Sequence, residues 1–245
     1  VFIARIVLPK ADAIRVVSER IKNSLSKVNC KSSKISVLPI FTDLEKFKNA
    51  VPAINLQTKY SQWSFIILVV ARFSPEKNVG FAFRVLKELL KKYPKTGLVV
   101  VGDGPLKKSL KLEVESLKLE ASVAFESWQD DIASYYKTAN LFLQISVYEG
   151  FGLALLEAAA SGLPAVSSDV GIAPELLNYK GHSFVCPVND LKCFIYTISQ
   201  LIEDNQLRTF YALQIAPYAV TPFVKTKAQY LIEYKKSIEQ AKGLI

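Results

Sequence analysis

The sequence has no methionine and one histidine, His182, in 245 residues. A single imidazole supports neither a Ser-His-Asp triad nor a histidine-based metal site. There are three cysteines, Cys30, Cys186 and Cys193, and none stands in C-x-x-C spacing. That pattern predicts reduced structural thiols rather than disulfides or a metal centre. Long apolar runs are also missing: the longest candidate, FIILVVA over 65–71, is far short of the roughly 20 residues that a membrane-spanning helix needs. The opening VFIARIVLP lacks the basic, apolar and small-residue layout of a signal peptide. These absences together point to a cytoplasmic protein. Because the first residue is Val1 and not Met, a piece of a longer chain, or a processed one, is expected.

Half of the residues are apolar, and the length suffices for one large or two small cores. Lysine and arginine number 31 against 22 acidic residues, a formal charge of +9. The lysines crowd KELLKKYPK (87–95), PLKKSLKLEVESLKLE (105–120) and the final segment, interleaved with leucines at helical spacing. They read first as solvated faces of amphipathic helices. A preference for anionic partners, either phosphorylated substrates or an acidic membrane surface, is the second reading. No nucleic acid is expected, since no basic stretch is interleaved with stacking aromatics.

From residue 63, β-rich runs alternate with amphipathic segments. WSFIILVVA precedes a helix near 79–93, TGLVVVG one near 105–119, and ASVAF one near 130–138; NLFLQIS precedes a helix over 151–161, PAVSS one near 173–178, and HSFVCPV one near 190–203. This βα alternation predicts an α/β fold with a parallel sheet covered on both faces. Residues 1–50 read as a separate piece, an amphipathic helix near 11–28 and then the strand KISVLPI, and the chain closes on a helix near 223–242. Open parallel sheets bind ligands at the carboxyl ends of their strands. Those ends carry Arg72 with Lys77, Gly102 to Pro105, Ser127 with Trp128, Ser146 to Glu149, and Asp169 to Gly171. Gly, Asp and Pro also simply make turns, so the weight falls on charges that serve no turn: Arg72, Lys77, Glu149 and Glu157.

The two glutamates frame VYEGFGLALLEAAASGLPAV (147–166), where Glu157 is the only charge between Gly150 and Ser168. A helix that is apolar all round is buried, and a carboxylate within it needs a partner. Arg72 and Lys77 in ARFSPEKN suit a diphosphate; the plainer reading is a surface pair with Glu76. Gly150 and Gly152 precede a helix whose first amides make an anion site. Carboxylates beside phosphates repel them unless they bind something neutral, and hydroxyls fit: Glu149 and Glu157 would grip sugar rings on either side of the phosphates.

The E-x7-E pattern from Glu149 to Glu157 resembles the signature of the retaining glycosyltransferases of family 4, which have two Rossmann-like domains in the GT-B fold. ADAIRVVSERIKNSL, KISVLPIFTDLEKF, VVARFSPEKN, VVVGDGPLKKSL, SWQDDIASYYKTANLFL, SSDVGIAPELL and AQYLIEYKK resemble the same family in the same order. The resemblance implies a Rossmann-like doubly wound parallel sheet, the carboxyl-terminal half of a GT-B fold, with a partial second domain. Residues 1–50 would be the tail of the amino-terminal acceptor domain and the linker, 51–217 the nucleotide-sugar donor-binding domain, and 218–245 a helix packing back toward the amino-terminal domain. By the same resemblance Arg72 and Lys77 contact the donor diphosphate, Glu157 the ribose, and Glu149, the catalytic candidate, the transferred sugar. Gly150, Phe151, Gly152 and Leu153 line the sugar and phosphate, and Ser127 and Trp128 lie by the base. Such enzymes use no metal and no cofactor beyond the nucleotide-diphosphate sugar, in keeping with the lack of a D-x-D motif. The implied acceptor is a glycan or lipid-linked sugar, with peripheral contact to an anionic membrane as a further reading. This chain alone is expected to bind the donor without turnover. The family usually has Gly at Ser127 and Ile172, Pro at Ile145, and Asn-Gly at Ile40-Phe41. A sugar-nucleotide epimerase of the same fold class and a non-catalytic nucleotide-sugar-binding module are the alternatives.

Overall fold

Near the amino terminus, helical spacing and the structure part company. The computed structural model describes residues 6–25, 27, 30–179 and 182–241. Where one helix is expected near 11–28, it has a strand, β1 (Ile14–Val16), and then a shorter helix, α1 (Glu19–Leu25). Two interactions decide this. Ile14 to Val16 pair in parallel with β2 (Ile35–Val37), and Ser18 Oγ accepts a bond from Ile21 N at 3.3 Å, as a helix-starting serine does. Val16, Cys30 and Ile35 form the small core, with Ile14, Ile21 and Leu25 packed on it.

The described residues fall into two compact units: those up to Asp43 together with those from Phe223 on, and Leu44–Pro222. The larger unit begins with α2 (Leu44–Lys48) and α3 (Leu56–Lys59), then β3 (Phe65–Val70). It continues through α4 (Val79–Leu90), β4 (Thr96–Val101), α5 (Lys107–Leu117), β5 (Val123–Glu126) and α6 (Ile132–Thr138). Next come β6 (Leu141–Gln144), α7 (Leu153–Ala160), β7 (Ala165–Ser168) and α8 (Ala173–Leu177). The strand expected in HSFVCPV is split: β8 (Asn178–Tyr179) pairs antiparallel with β9 (His182–Ser183), and β10 (Val185–Cys186) runs parallel to β7. Helices α9 (Leu191–Glu203), α10 (Asn205–Phe210) and α11 (Ala216–Val220) complete the unit.

Among the described residues the main sheet has six strands in the order β10-β7-β6-β3-β4-β5, all pairs parallel. The apolar run of β3 and β4 places them inside, buried on both faces. Three aspartates start helices by accepting a backbone N–H: Asp131 for α6, Asp190 for α9 and Asp204 for α10. From β3 the chain winds outward to β4 and β5, then returns to the other side of β3 for β6, β7 and β10. Such a reversal opens a crevice at the strand ends, here between the loops that follow β3 and β6.

The cysteine expectation is overturned. Cys186 and Cys193 form a disulfide with Cα atoms 5.7 Å apart, joining the end of β10 to the first turn of α9. Folding of the strand end against the helix start makes the pair, which no short spacing in the sequence announces. In the smaller unit, the last helix, α12 (Lys227–Ala241), packs Tyr234 under the Arg15 guanidinium, 4.3 Å from the ring centre, and Tyr230 against Phe41 at 5.4 Å.

Gly102 lies at φ +145°, and a Cβ there would fall 2.0 Å from Ala71 O. Gly102→Ala is therefore expected to cost about 2 kcal/mol or more. Gly150→Ala, where a Cβ meets nothing within 4 Å, should stay within about 0.5 kcal/mol. Paired denaturant melts check both.

Candidate functional site

The reversal sets two loops side by side. The first, 71–78, leaves β3 with Phe73 buried and Arg72 exposed. The β4 end holds its backbone: Phe73 N donates to Asp103 O at 2.8 Å and Leu106 N to Phe73 O at 3.1 Å. Gly102 and Gly104, both at positive φ, let the two backbones meet, so the glycines of GDGP serve a close approach of chains. Pro75–Lys77 makes a 3-10 turn that ends at Asn78 in the left-handed conformation.

The second loop, 145–152, leaves β6 and is tied to the first. Val147 N donates to Glu76 O at 2.9 Å, Asn78 Nδ2 to Ile145 O at 3.1 Å, and Lys77 Nζ to Glu149 Oε1 at 2.6 Å. Ser146, itself buried, donates its hydroxyl to the same Glu149 oxygen at 2.8 Å. The side chains of Lys77 and Glu149 are 24% and 11% exposed, so each charge balances the other where hydration is incomplete. Glu76, the plainer partner for Lys77, instead accepts from Ser74 Oγ at 2.6 Å. That hydroxyl, with the charges of Lys77 and Arg72 beyond it, holds the Glu76 carboxyl below its ordinary value.

Past Glu149, Gly150 stands open, whereas Phe151 is buried. The Phe151 carbonyl accepts from Ile172 N at 2.9 Å, and Gly171, at φ +52°, passes so close that a Cβ would lie 2.1 Å from that oxygen. Gly152, at φ 109°, begins α7, whose first-turn amides have no acceptors within the helix; Leu153 in that turn is exposed. Glu157, the fifth residue of α7, is partly buried, and its Oε2 accepts from the Tyr136 hydroxyl at 3.0 Å. Burial pushes the Glu157 carboxyl above its ordinary value, against the opposing pull of Tyr136 and Lys46. Burial also raises the Tyr136 hydroxyl well above its ordinary value, which keeps it a donor.

Ser127 and Trp128 follow β5, and Trp128 is 77% exposed. Glu126 just before them accepts from Lys59 and Tyr60 and is bonded by Tyr135. Three strand spacings separate β5 from β6, about 14 Å. The structure thus brings Lys77, Glu149 and Gly150 to Leu153 together with the Arg72 loop, and leaves Ser127 and Trp128 at the far end of the rim. Among the described residues no group of three or more His, Cys, Asp and Glu side chains is placed to hold a metal ion, and no helix is long and apolar enough to cross a membrane.

A family model described as Glycosyl transferases group 1 matches residues 57–212, well over half of the chain. The chain belongs to the group 1 glycosyl transferases. This group 1 domain is 31% identical over 180 residues to the UDP-Gal:alpha-D-GlcNAc-diphosphoundecaprenol alpha-1,3-galactosyltransferase of Escherichia coli, covering 71% of this chain and 46% of that protein. It is 32% identical over 174 residues to the alpha-monoglucosyldiacylglycerol synthase of Streptococcus pneumoniae, covering 68% of this chain and 39% of that protein. The chain thus spans less than half the length of both relatives. Its fold is that of GT-B glycosyltransferases: Anabaena HepE in complex with UDP and glucose superposes with a TM-score of 0.82 over 99% of this chain and 66% of that one, at 20% identity.

Within this group 1 domain, the sequence pointed to sugar hydroxyls as partners of Glu157 and gave no partner from the protein itself. Tyr136 is that partner, and the only advance signal is the Tyr135-Tyr136 pair in the preceding helix, which does not say which hydroxyl turns inward. The Ser146 bond to Glu149 also went unseen.

The raised Glu157 carboxyl has a sign that melts can read. The folded state holds this proton more tightly than the unfolded chain, so stability falls as pH rises from the ordinary carboxylate value through the raised one. Glu157→Gln removes that loss. Its melting temperature should gain on wild type as pH rises from about 4 through the raised value and run parallel to it above that. A gap that stays constant throughout would refute the raised value.

Proposed function

We propose that residues 44–222 form the donor-binding domain of a retaining, metal-independent glycosyltransferase of family 4. The observation that carries this reading is the meeting of Lys77 and Glu149 across the β3/β6 reversal, beside the open start of α7. Lys77 and Arg72 neutralise the donor diphosphate, aided by the α7 amides. Glu149 turns an oxygen to the hydroxyls of the transferred sugar, and Gly150 to Leu153 line the sugar and phosphate with backbone groups. Glu157 accepts the ribose hydroxyls, and Ser127 and Trp128 flank the base. A donor that reaches from Glu149 to Trp128 lies extended along the rim, over β3 and β4. Sugar leaves with its anomeric configuration kept, and the departing phosphate takes the acceptor's proton.

The residues up to Asp43 and the helix from Lys227 belong, in this proposal, with the acceptor side of the enzyme. The acceptor is a glycan or lipid-linked sugar; among the relatives, one is named for a diphosphoundecaprenol-linked GlcNAc acceptor and another for a monoglucosyldiacylglycerol product. The lysine-rich surface suits an anionic membrane that holds such acceptors. The matching family model and both curated relatives are named as glycosyl transferases or a synthase, which favours transfer over epimerisation.

Calorimetric titration of this chain with a nucleoside diphosphate and with the matching nucleotide sugar tests the division of labour. Glu157→Ala should weaken both ligands by about tenfold or more, the worth of a charge-assisted bond. Glu149→Ala should weaken only the nucleotide sugar, since it also releases Lys77 to the diphosphate. EDTA should change neither affinity. Equal losses in both variants, or strict dependence on magnesium, would overturn the reading.

Arg72→Ala should lower both affinities by about tenfold, and added salt should lower them too, since Arg72 is exposed and its contacts are open to screening. Titrations in low and high salt check this.

A further inference from the structure

Glu157 is held by one hydroxyl, and the geometry of that hold goes beyond the pairing of a buried charge. Helices α6 and α7 follow β5 and β6, so both begin at the rim and run away from it. Tyr136 and Glu157 are each the fifth residue of their helix, about 6 Å along the axis from its start, and thus lie at one level. Side chains lean toward the amino terminus of a helix, which carries the Glu157 carboxylate back toward the rim. The Tyr136 ring cannot swing freely. It is buried, with Phe47 of α2 at 5.9 Å and Phe142 of β6 at 5.8 Å, both edge-on. Its hydroxyl meets Oε2 of Glu157 at 3.0 Å, and among the described residues no side-chain or backbone donor bonds Oε1.

Resting on the ribose role given to Glu157 above, we infer that Tyr136 is a positioning residue of the donor site, occupying one carboxylate oxygen of Glu157 so that the other is presented to the ribose hydroxyls. A carboxylate with two equivalent oxygens and freely turning torsions would meet a ribose in many orientations. One fixed oxygen leaves a single direction for the other, which lowers the ordering cost of binding. The neighbouring Tyr135 supplies an internal control: it is as deeply buried on the same helix, but its hydroxyl serves Glu126.

The readout is a ratio that loss of stability alone does not move. The full chain is titrated with uridine, guanosine and adenosine diphosphates, and the tightest binder is compared with its 2′-deoxy form. Wild type should prefer the ribose form by about tenfold or more, and Glu157→Ala should abolish the preference. Tyr136→Phe keeps the ring and removes one oxygen; the preference should fall by about threefold or more, and Tyr136→Phe combined with Glu157→Ala should lose nothing further. Tyr135→Phe should leave the ratio unchanged. A wild-type ratio in Tyr136→Phe, with the preference lost in Glu157→Ala, overturns this inference alone. An unchanged ratio in Glu157→Ala, or no binding of any of the diphosphates by wild type, overturns the ribose role and this inference with it.

Discussion

The pairing of β3 with β6 is the contact on which the rim depends. Residues 67 and 68 lie opposite 141 and 142 in parallel register, although two further strands and three helices intervene in the chain. Because parallel neighbours end at the same edge, this pairing sets the loop after β3 against the loop after β6. Every inter-loop bond described above, from Val147 to Glu76 and from Lys77 to Glu149, follows from it. The apolar runs of the central strands suit this position, since both of their faces are covered.

The site built there is held mainly by backbone. Gly102 and Gly104 bring the β4 turn onto residues 71–73, and Gly171 brings the β7 turn onto Phe151. Loops fixed by main-chain contact leave side chains available for other uses, among them the exposed Arg72 and Trp128. Asn78 joins this frame at two points, donating to Ile145 O and to Asn189 Oδ1 at 2.9 Å. Asn189 lies inside the loop closed by the Cys186–Cys193 disulfide, so the covalent link and the rim share one hydrogen-bonded frame.

The two signature glutamates solve the cost of burying charge differently. Glu149 faces a cation and a hydroxyl at one oxygen. Glu157 has a neutral phenol and a more distant lysine, and burial therefore outweighs both and raises its proton affinity. In the proposed donor site this difference has a use: the carboxylate beside the sugar is tied to the cation that neutralises the diphosphate, while the one beside the ribose is held by a group that does not compete for phosphate.

The sequence by itself determined the βα alternation, the parallel sheet, the rim and the E-x7-E pair within 147–166, because hydrophobic period, turn residues and a lone charge in an apolar helix are all local signals. It also carried a resemblance to glycosyltransferases, and the match over residues 57–212 shows the broader group 1 glycosyl transferases. Tertiary structure alone decided that Lys77 pairs with Glu149, 72 residues away, rather than with adjacent Glu76, and that Tyr136 rather than Tyr135 turns to Glu157. It decided, too, that Ile14 to Val16 form a strand and that two cysteines join. Each of these depends on which elements pack side by side, and a partner reached only through packing leaves no period or spacing in the chain to reveal it.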